Sequence, residues 1–190
     1  GIIGQVAVNL FELIPETNQI ESIWSVKTKG YSNEKKKKGE FLKDAFILHA
    51  MLDTVGNVLH KTEIKQTGGK FPLDGKLIRL KNGEKMIIGT YQSNVGDKGI
   101  YTYGLTNQSG MKTYSFTSLL KGTKALAVED LKQILDSYTF MSNQPIEGEE
   151  NVIFGGVFMK PQFQTVTQQD LNDPYNAGYR GYGNSRYNNG

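Results

Sequence analysis

Residues 75–117 read GKLIRLKNGEKMIIGTYQSNVGDKGIYTYGLTNQSGMKTYSFT. Four short runs rich in β-branched and aromatic residues stand out: Lys76–Leu80, Lys85–Tyr91, Gly99–Thr106 and Met111–Thr117. They are separated by Lys81-Asn82-Gly83-Glu84, a polar loop through Gly96, and Asn107-Gln108-Ser109-Gly110. Asn and Gly accept the positive φ angles that tight antiparallel connections require, so the breaks suit hairpins rather than crossovers. Four such runs in succession predict an antiparallel meander. A mainly β fold class follows from this stretch.

The pattern continues on both sides. Phe41–Gln66 reads as a hairpin, with Phe46, Leu48, Ala50 and Leu52 on one face and Asp53-Thr54-Val55-Gly56-Asn57 at the turn. A three-residue loop with Gly56 at positive φ predicts Phe46 opposite Ile64, Leu52 opposite Val58, and His49 opposite Lys61. Upstream, Ile2–Leu13 and Gln19–Lys29 read as strands joined by Pro15-Glu16-Thr17-Asn18. In the first, Val6, Val8 and Leu10 alternate with Ala7, Asn9 and Phe11; in the second, Ile20, Ser22, Trp24 and Val26 share a face. Tyr31–Glu40 is a polar, basic loop. Downstream, Leu126, Leu131, Ile134 and Leu135 make an apolar stripe that predicts one short helix over Ala125–Ser137, with Thr123 as its N-cap. A last strand is expected over Val152–Phe158. The chain thus divides into 1–66 with its basic loop 31–40, 75–118, 123–160, and a polar Tyr/Gly/Asn-rich tail 161–190.

Composition narrows the function classes. Of 190 residues 37% are apolar and 22% charged, enough to build a core. The absence of cysteine excludes disulfides, thiolate metal sites and cysteine nucleophiles. A net charge of +3 is too small an excess to imply nucleic acid by itself. No segment approaches the ~20 apolar residues of a membrane-spanning helix. A chain that opens on Gly1-Ile2-Ile3-Gly4 and closes in a Gly/Tyr/Asn tract is expected to be a piece of a larger protein.

Three segments share an apolar-apolar-Gly signature: Ile2-Ile3-Gly4, Ile87-Ile88-Gly89 and Ile153-Phe154-Gly155. A second recurrence pairs Phe46–Leu52 and Gly56 with Ile100–Leu105 and Gly110. Asn82-Gly83-Glu84-Lys85-Met86-Ile87-Ile88-Gly89, followed by Leu105-Thr106-Asn107-Gln108-Ser109-Gly110-Met111, resembles the blade repeats of secreted bacterial β-propeller proteins. The resemblance covers 75–118 well and 1–66 loosely. It implies antiparallel meanders forming part of a β-propeller, in a cell-envelope, periplasmic or extracellular setting. A β-sandwich or barrel is the alternative, because Gly-punctuated apolar strands serve those folds too.

Residues with chemical potential are few. His49 and His60 would face each other only across a two-residue loop, and no third ligand accompanies them, so they read as ordinary strand residues. Asp170, Asn172 and Asp173 lack the spacing of a Ca²⁺ loop and read as a polar turn before Pro174. Glu149-Glu150 lies in a loop and reads as solvated. Neither Gly-x-Ser-x-Gly nor a phosphate-binding glycine motif occurs. The expectation is therefore a non-enzymatic structural or protein-binding module without cofactor or metal, whose partners are other proteins of an assembly or the rest of the same chain. Candidate partner-binding residues are Lys35, Lys36, Lys37 and Lys38 in the basic loop and Tyr175, Tyr179, Arg180, Tyr182, Arg186 and Tyr187 in the tail, since Tyr and Arg make interface anchors. Two alternatives stand beside it: nucleic-acid or polyanion binding through these same residues, and an enzyme whose active site lies in sequence beyond this chain. On the polyanion reading, the protein binds heparin or single-stranded RNA in a salt-sensitive way, and replacing Lys35–Lys38 by Gln lowers the slope of log affinity against log salt. Failure to bind either at low salt refutes that alternative.

Overall fold

Alternation of side chains builds two antiparallel sheets, and the pairing of each strand decides which alternate set points inward. The computed structural model describes residues 3–33, 39–121, 128–148 and 151–160, all within the compact unit Gly1–Lys160. Sheet A is a meander of β1 (Ile3–Ile14), β2 (Gln19–Ser32), β3 (Gly39–Asp53) and β4 (Val58–Lys65) in sequential order. Sheet B contains β5 (Lys70–Pro72), β6 (Lys76–Arg79), β7 (Lys85–Ser93), β8 (Lys98–Gly104) and β9 (Met111–Ser115). Both β5 and β6 pair with β7, at Tyr91–Ser93 and Lys85–Ile88 respectively, so they are two parts of one interrupted edge. Each sheet is in effect a four-stranded meander.

The interruption has a local cause. Asp74 leaves the strand and takes over pairing with its side chain, accepting hydrogen bonds from the Thr90 amide at 2.6 Å and the Thr90 hydroxyl at 2.9 Å. Its carbonyl accepts from the buried Tyr101 hydroxyl at 2.7 Å. The Asp74 backbone can come this close only because residue 89 has no side chain: a Cβ on Gly89 would stand 2.1 Å from the Asp74 carbonyl oxygen. Gly4, in the same apolar-apolar-Gly signature, has open space around it.

The sheets pack face to face over Ile23, Ile47 and Ile64 from sheet A and Ile87, Tyr91 and Tyr101 from sheet B. Leu42, Ala45 and Phe71 form a second buried cluster. Turn chemistry follows the sequence, with Asn18, Gly56, Gly83, Gly96 and Gly110 all at positive φ. At the β3–β4 turn, Asp53 accepts hydrogen bonds from the amides of Val55 and Asn57.

Register differs from expectation at the bulges. Between Val8 and Leu10 the β1–β2 register shifts, so Leu10 turns to the face opposite Val8 and packs against the core, while Phe11 joins Val6 and Val8. Between Met51 and Leu52 a second shift keeps Leu52 opposite Val58 but sets Ile47 opposite Ile64, Phe46 opposite Lys65 and His49 opposite Thr62. The predicted Phe46–Ile64 and His49–Lys61 pairs are corrected by that one residue.

Two helices are present among the described residues instead of one. The run from Met111 stops at Ser115, whose hydroxyl accepts from the Ser118 amide and caps α1 (Phe116–Leu120). Phe116 then buries its ring against Phe140 and Phe158. The predicted helix appears as α2 (Val128–Ser137); Thr123, its predicted cap, lies outside the described residues. Two small hairpins complete the unit: β10 (Thr139–Ser142) pairs with β13 (Gly156–Met159), and β11 (Ile146–Glu147) with β12 (Val152–Ile153). The expected Val152–Phe158 strand is therefore split between two partners.

No closed barrel or propeller ring is formed by the described residues; they form a four-stranded and a five-stranded antiparallel sheet, with two small two-stranded hairpins. Gly89→Ala is expected to cost about 2–3 kcal/mol in urea unfolding, because the new methyl drives Asp74 off its Thr90 bonds. Gly4→Ala in the same assay is expected to change stability by less than about 0.5 kcal/mol.

Candidate functional site

The pairing register sorts sheet A into two faces. Cross-strand rows on the inner face run Glu12-Glu21-Met51-His60, Leu10-Ile23-His49-Thr62, Ala7-Ser25-Ile47-Ile64 and Gln5-Lys27-Ala45. Those on the outer face run Leu13-Ile20-Leu52-Val58, Phe11-Ser22-Ala50-Lys61, Val8-Trp24-Leu48-Glu63 and Val6-Val26-Phe46-Lys65. The more polar set faces sheet B, and the more apolar set faces away from it.

A charge cluster explains why the polar set can point inward. Glu21 is fully buried, and its carboxylate receives His49 Nε2 at 2.9 Å, Arg79 Nη2 at 2.8 Å and Lys85 Nζ at 3.1 Å. Arg79 also reaches Glu12 at 2.7 Å. Burial alone would raise the Glu21 pKa, but the bonds from His49, Arg79 and Lys85 outweigh it and bring the value from 4.5 down to about 2. With Nε2 engaged by Glu21, the other ring nitrogen of His49, Nδ1, is buried without a hydrogen-bond partner among the described residues. Both oxygens of Glu21 are occupied and sealed from solvent, so the cluster is a lock between β2 and β3 of one sheet and β6 and β7 of the other. Sequence reading treated His49 as an ordinary strand residue and did not single out Glu21. The available signal was a carboxylate alternating with Ile23 and Ser25 in a strand whose other face is apolar.

Further ties hold the two sheets in place. The Asn94 side chain accepts from the Leu42 amide at 3.0 Å and donates to the Leu42 carbonyl at 2.8 Å, imitating a strand partner where the β2–β3 register shifts between Thr28 and Lys29. Beside it lies a cleft of about 460 Å³ lined by Gln5, Lys27, Lys29, Gln92 and neighbouring apolar side chains. Burial pushes the Lys27 amine below its usual range. On the same inner face of sheet B, Lys70 sits 3.4 Å from Asp97 and over the Tyr91 ring, while burial and Asp97 push the Tyr91 phenol up.

The outer faces of the two sheets are treated differently. Ile78 and Ile88, on the outer face of sheet B, are buried. There Lys76 donates to the carbonyls of Ser142 and Asn143, and Lys98 to that of Leu135. The helices and small hairpins thus cover sheet B. On sheet A the outer rows have no cover among the described residues: Val6 is 66% exposed, Val8 54%, Phe11 58% and Leu13 52%. Behind them Ile20, Trp24, Val26, Phe46, Leu48 and Leu52 are partly exposed.

No protein-family model, curated protein or solved structure matches this chain.

The candidate residues chosen from sequence, Lys35, Lys36, Lys37, Lys38, Tyr175, Tyr179, Arg180, Tyr182, Arg186 and Tyr187, lie outside the described residues, as do Glu149, Glu150 and the Asp170-Asn172-Asp173 cluster. His49 and His60 occupy different rows of β3 and β4, and no group of three or more His, Cys, Asp or Glu among the described residues could hold a metal ion. No helix among them is long and apolar enough to cross a membrane. The apolar outer face of sheet A was not among the sequence candidates. Its signal was the shared face of Ile20, Trp24, Val26, Phe46 and Leu48, which pattern alone would assign to a core.

Because Glu21 titrates at about 2 in the fold against 4.5 for the free group, its stabilisation is present above pH 4.5 and is lost as pH falls toward 2. Glu21→Gln is expected to lose about 3 kcal/mol at pH 7. The gap between variant and wild type should narrow between pH 4.5 and 2, measured by urea unfolding across that range. A gap independent of pH would contradict the assignment.

Proposed function

We propose that the protein is a non-enzymatic structural and protein-binding module that works through the outer face of sheet A. The observation carrying this reading is the apolar surface of Val6, Val8, Phe11 and Leu13, continuous with Trp24 and Leu48. Soluble domains rarely leave so broad an apolar patch in water unless it meets a partner. The Glu21 lock supports the same reading, since it directs the polar alternate set inward and leaves the apolar set for an external contact.

The β1–β4 meander facing the β6–β9 meander of the five-stranded sheet B is also the kind of stacking that neighbouring propeller blades would present, which supports the blade-like character of 1–66 and 75–118. On this reading the open face of sheet A is where a further sheet stacks. Residence in a cell-envelope or secreted assembly is part of the proposal and rests on the sequence resemblance.

A second reading, recognition of an anionic group, draws on Lys27 and Lys29 lining the cleft with Gln5 and Gln92. The heparin experiment above addresses it.

The docking reading is tested by placing a photo-crosslinking phenylalanine analogue at position 8 in cells that produce the protein. Val95 serves as the control, being equally apolar and 92% exposed but located in the β7–β8 turn. Discrete protein adducts from position 8 and none from position 95 are expected. Equal labelling from both positions, or none from position 8, overturns the reading.

A further inference from the structure

Resting on that reading, we infer that the occupant of the sheet A outer face is the same face of a second copy of this chain, the two sheets packing about a two-fold axis. Three features of the face select this partner.

The first is its lack of charge. A two-fold interface brings one patch onto itself, so any net charge within it meets its own image. The four central rows on β1, β2 and β3 hold Val6, Val8, Phe11, Leu13, Ile20, Trp24, Val26, Phe46, Leu48 and Leu52, the small Ser22 and Ala50 lie buried between them, and the row beyond, Gly4-Thr28-Asp44, closes this end of the face with an exposed carboxylate. The centre of the patch offers no charge for a differently charged partner to read, and nothing in those central rows repels its own copy.

The second is the position of its boundary. On β4 the same rows end in Lys61, Glu63 and Lys65, with Glu63 3.5 Å from Lys61 and 3.2 Å from Lys65. The apolar field thus has a charged rim on one side and runs out to the β1 edge on the other. β1 has a single charged residue, Glu12, on its inner face and already engaged by Arg79. Apolar centre and polar rim are the usual anatomy of a protein interface.

The third is size. The half-exposed side chains of β1, together with Val58 and the partly exposed rows behind them, present on the order of 600 Å² of apolar surface. That is at the top of the ~300–600 Å² range for the largest patch of a monomer, and near the ~800 Å² that each partner contributes to a standard interface. Sheet packing at about 10 Å spacing buries such a surface with another sheet. The inner face of sheet A already meets sheet B in this way.

Trp24 is the sole tryptophan in the chain and lies in the middle row of this face, between Val8 and Leu48. Its emission therefore reports burial of this face and of no other. Sedimentation equilibrium from about 1 to about 200 µM should show a monomer–dimer transition, and Trp24 emission should move to the blue with the same midpoint. The double variant Val6→Lys, Val8→Lys puts four ammonium groups into the interface. It should keep the wild-type far-UV spectrum and weaken dimerisation at least tenfold, while Lys112→Glu on sheet B should leave dimerisation unchanged.

A wild-type chain that stays monomeric up to about 200 µM overturns the inference. So does a dimer whose formation leaves Trp24 emission unchanged, which would mean pairing along the β1 edge or through another surface. The emission measurement uses the wild-type chain and decides the matter even if the lysine variant does not fold. The crosslinks at position 8 separate the two levels of the argument. Adducts of twice the chain mass support the dimer, adducts only to other polypeptides retain the docking reading and defeat the dimer, and no adducts defeat both.

Discussion

The burial of the Glu21 carboxylate between two sheets is the constraint from which the rest of the structure follows. A charge taken wholly out of water is tolerated only where its hydrogen-bonding capacity is filled. His49 fills it from the neighbouring strand of the same sheet, and Arg79 and Lys85 from the facing sheet. These donors sit on β3, β6 and β7, so satisfying one side chain fixes the register of β2 on β3 and the placement of sheet B over sheet A. The aliphatic core of Ile23, Ile47, Ile64 and Ile87 supplies the non-directional part of the attraction. The carboxylate supplies the direction.

That placement determines what the molecule shows to its surroundings. Alternation gives every strand two faces, and one shift of register exchanges them. With Glu21, Ile23 and Ser25 turned inward, Ile20, Trp24 and Val26 must turn outward, and the β1 bulge brings Phe11 and Leu13 into line with Val6 and Val8. The asymmetry with sheet B is instructive. Its outer face also carries isoleucines, but α1, α2 and the small hairpins lie over them, with lysines tied to carbonyl groups of that layer. One sheet is covered from within the chain, and the other keeps its apolar side exposed among the described residues.

Much of the strand order was legible because it rests on local chemistry. Asn18, Gly83, Gly96 and Gly110 occupy the positive-φ positions that their residue types permit, and the hairpin at Asp53–Asn57 closes through hydrogen bonds within five residues. The face shared by Phe46, Leu48, Ala50 and Leu52 is real. Less was legible of α1, where Phe116 finds Phe140 and Phe158 and a run that continues the β pattern becomes helical. Of the site, only the alternation was legible, since an apolar row looks the same whether it lines a core or lies exposed.

By itself, then, the sequence determined the antiparallel meanders and their turns, because those depend on side-chain alternation and on residues that tolerate particular backbone angles. The bulges at Val8–Leu10 and Met51–Leu52, the inward direction of the polar set and the exposure of the apolar one were decided only in the tertiary structure. The physical reason is distance along the chain. Glu21 meets Arg79 and Lys85 across separations of 58 and 64 residues, and until the second sheet is in place nothing local says which face of β2 will be the inside.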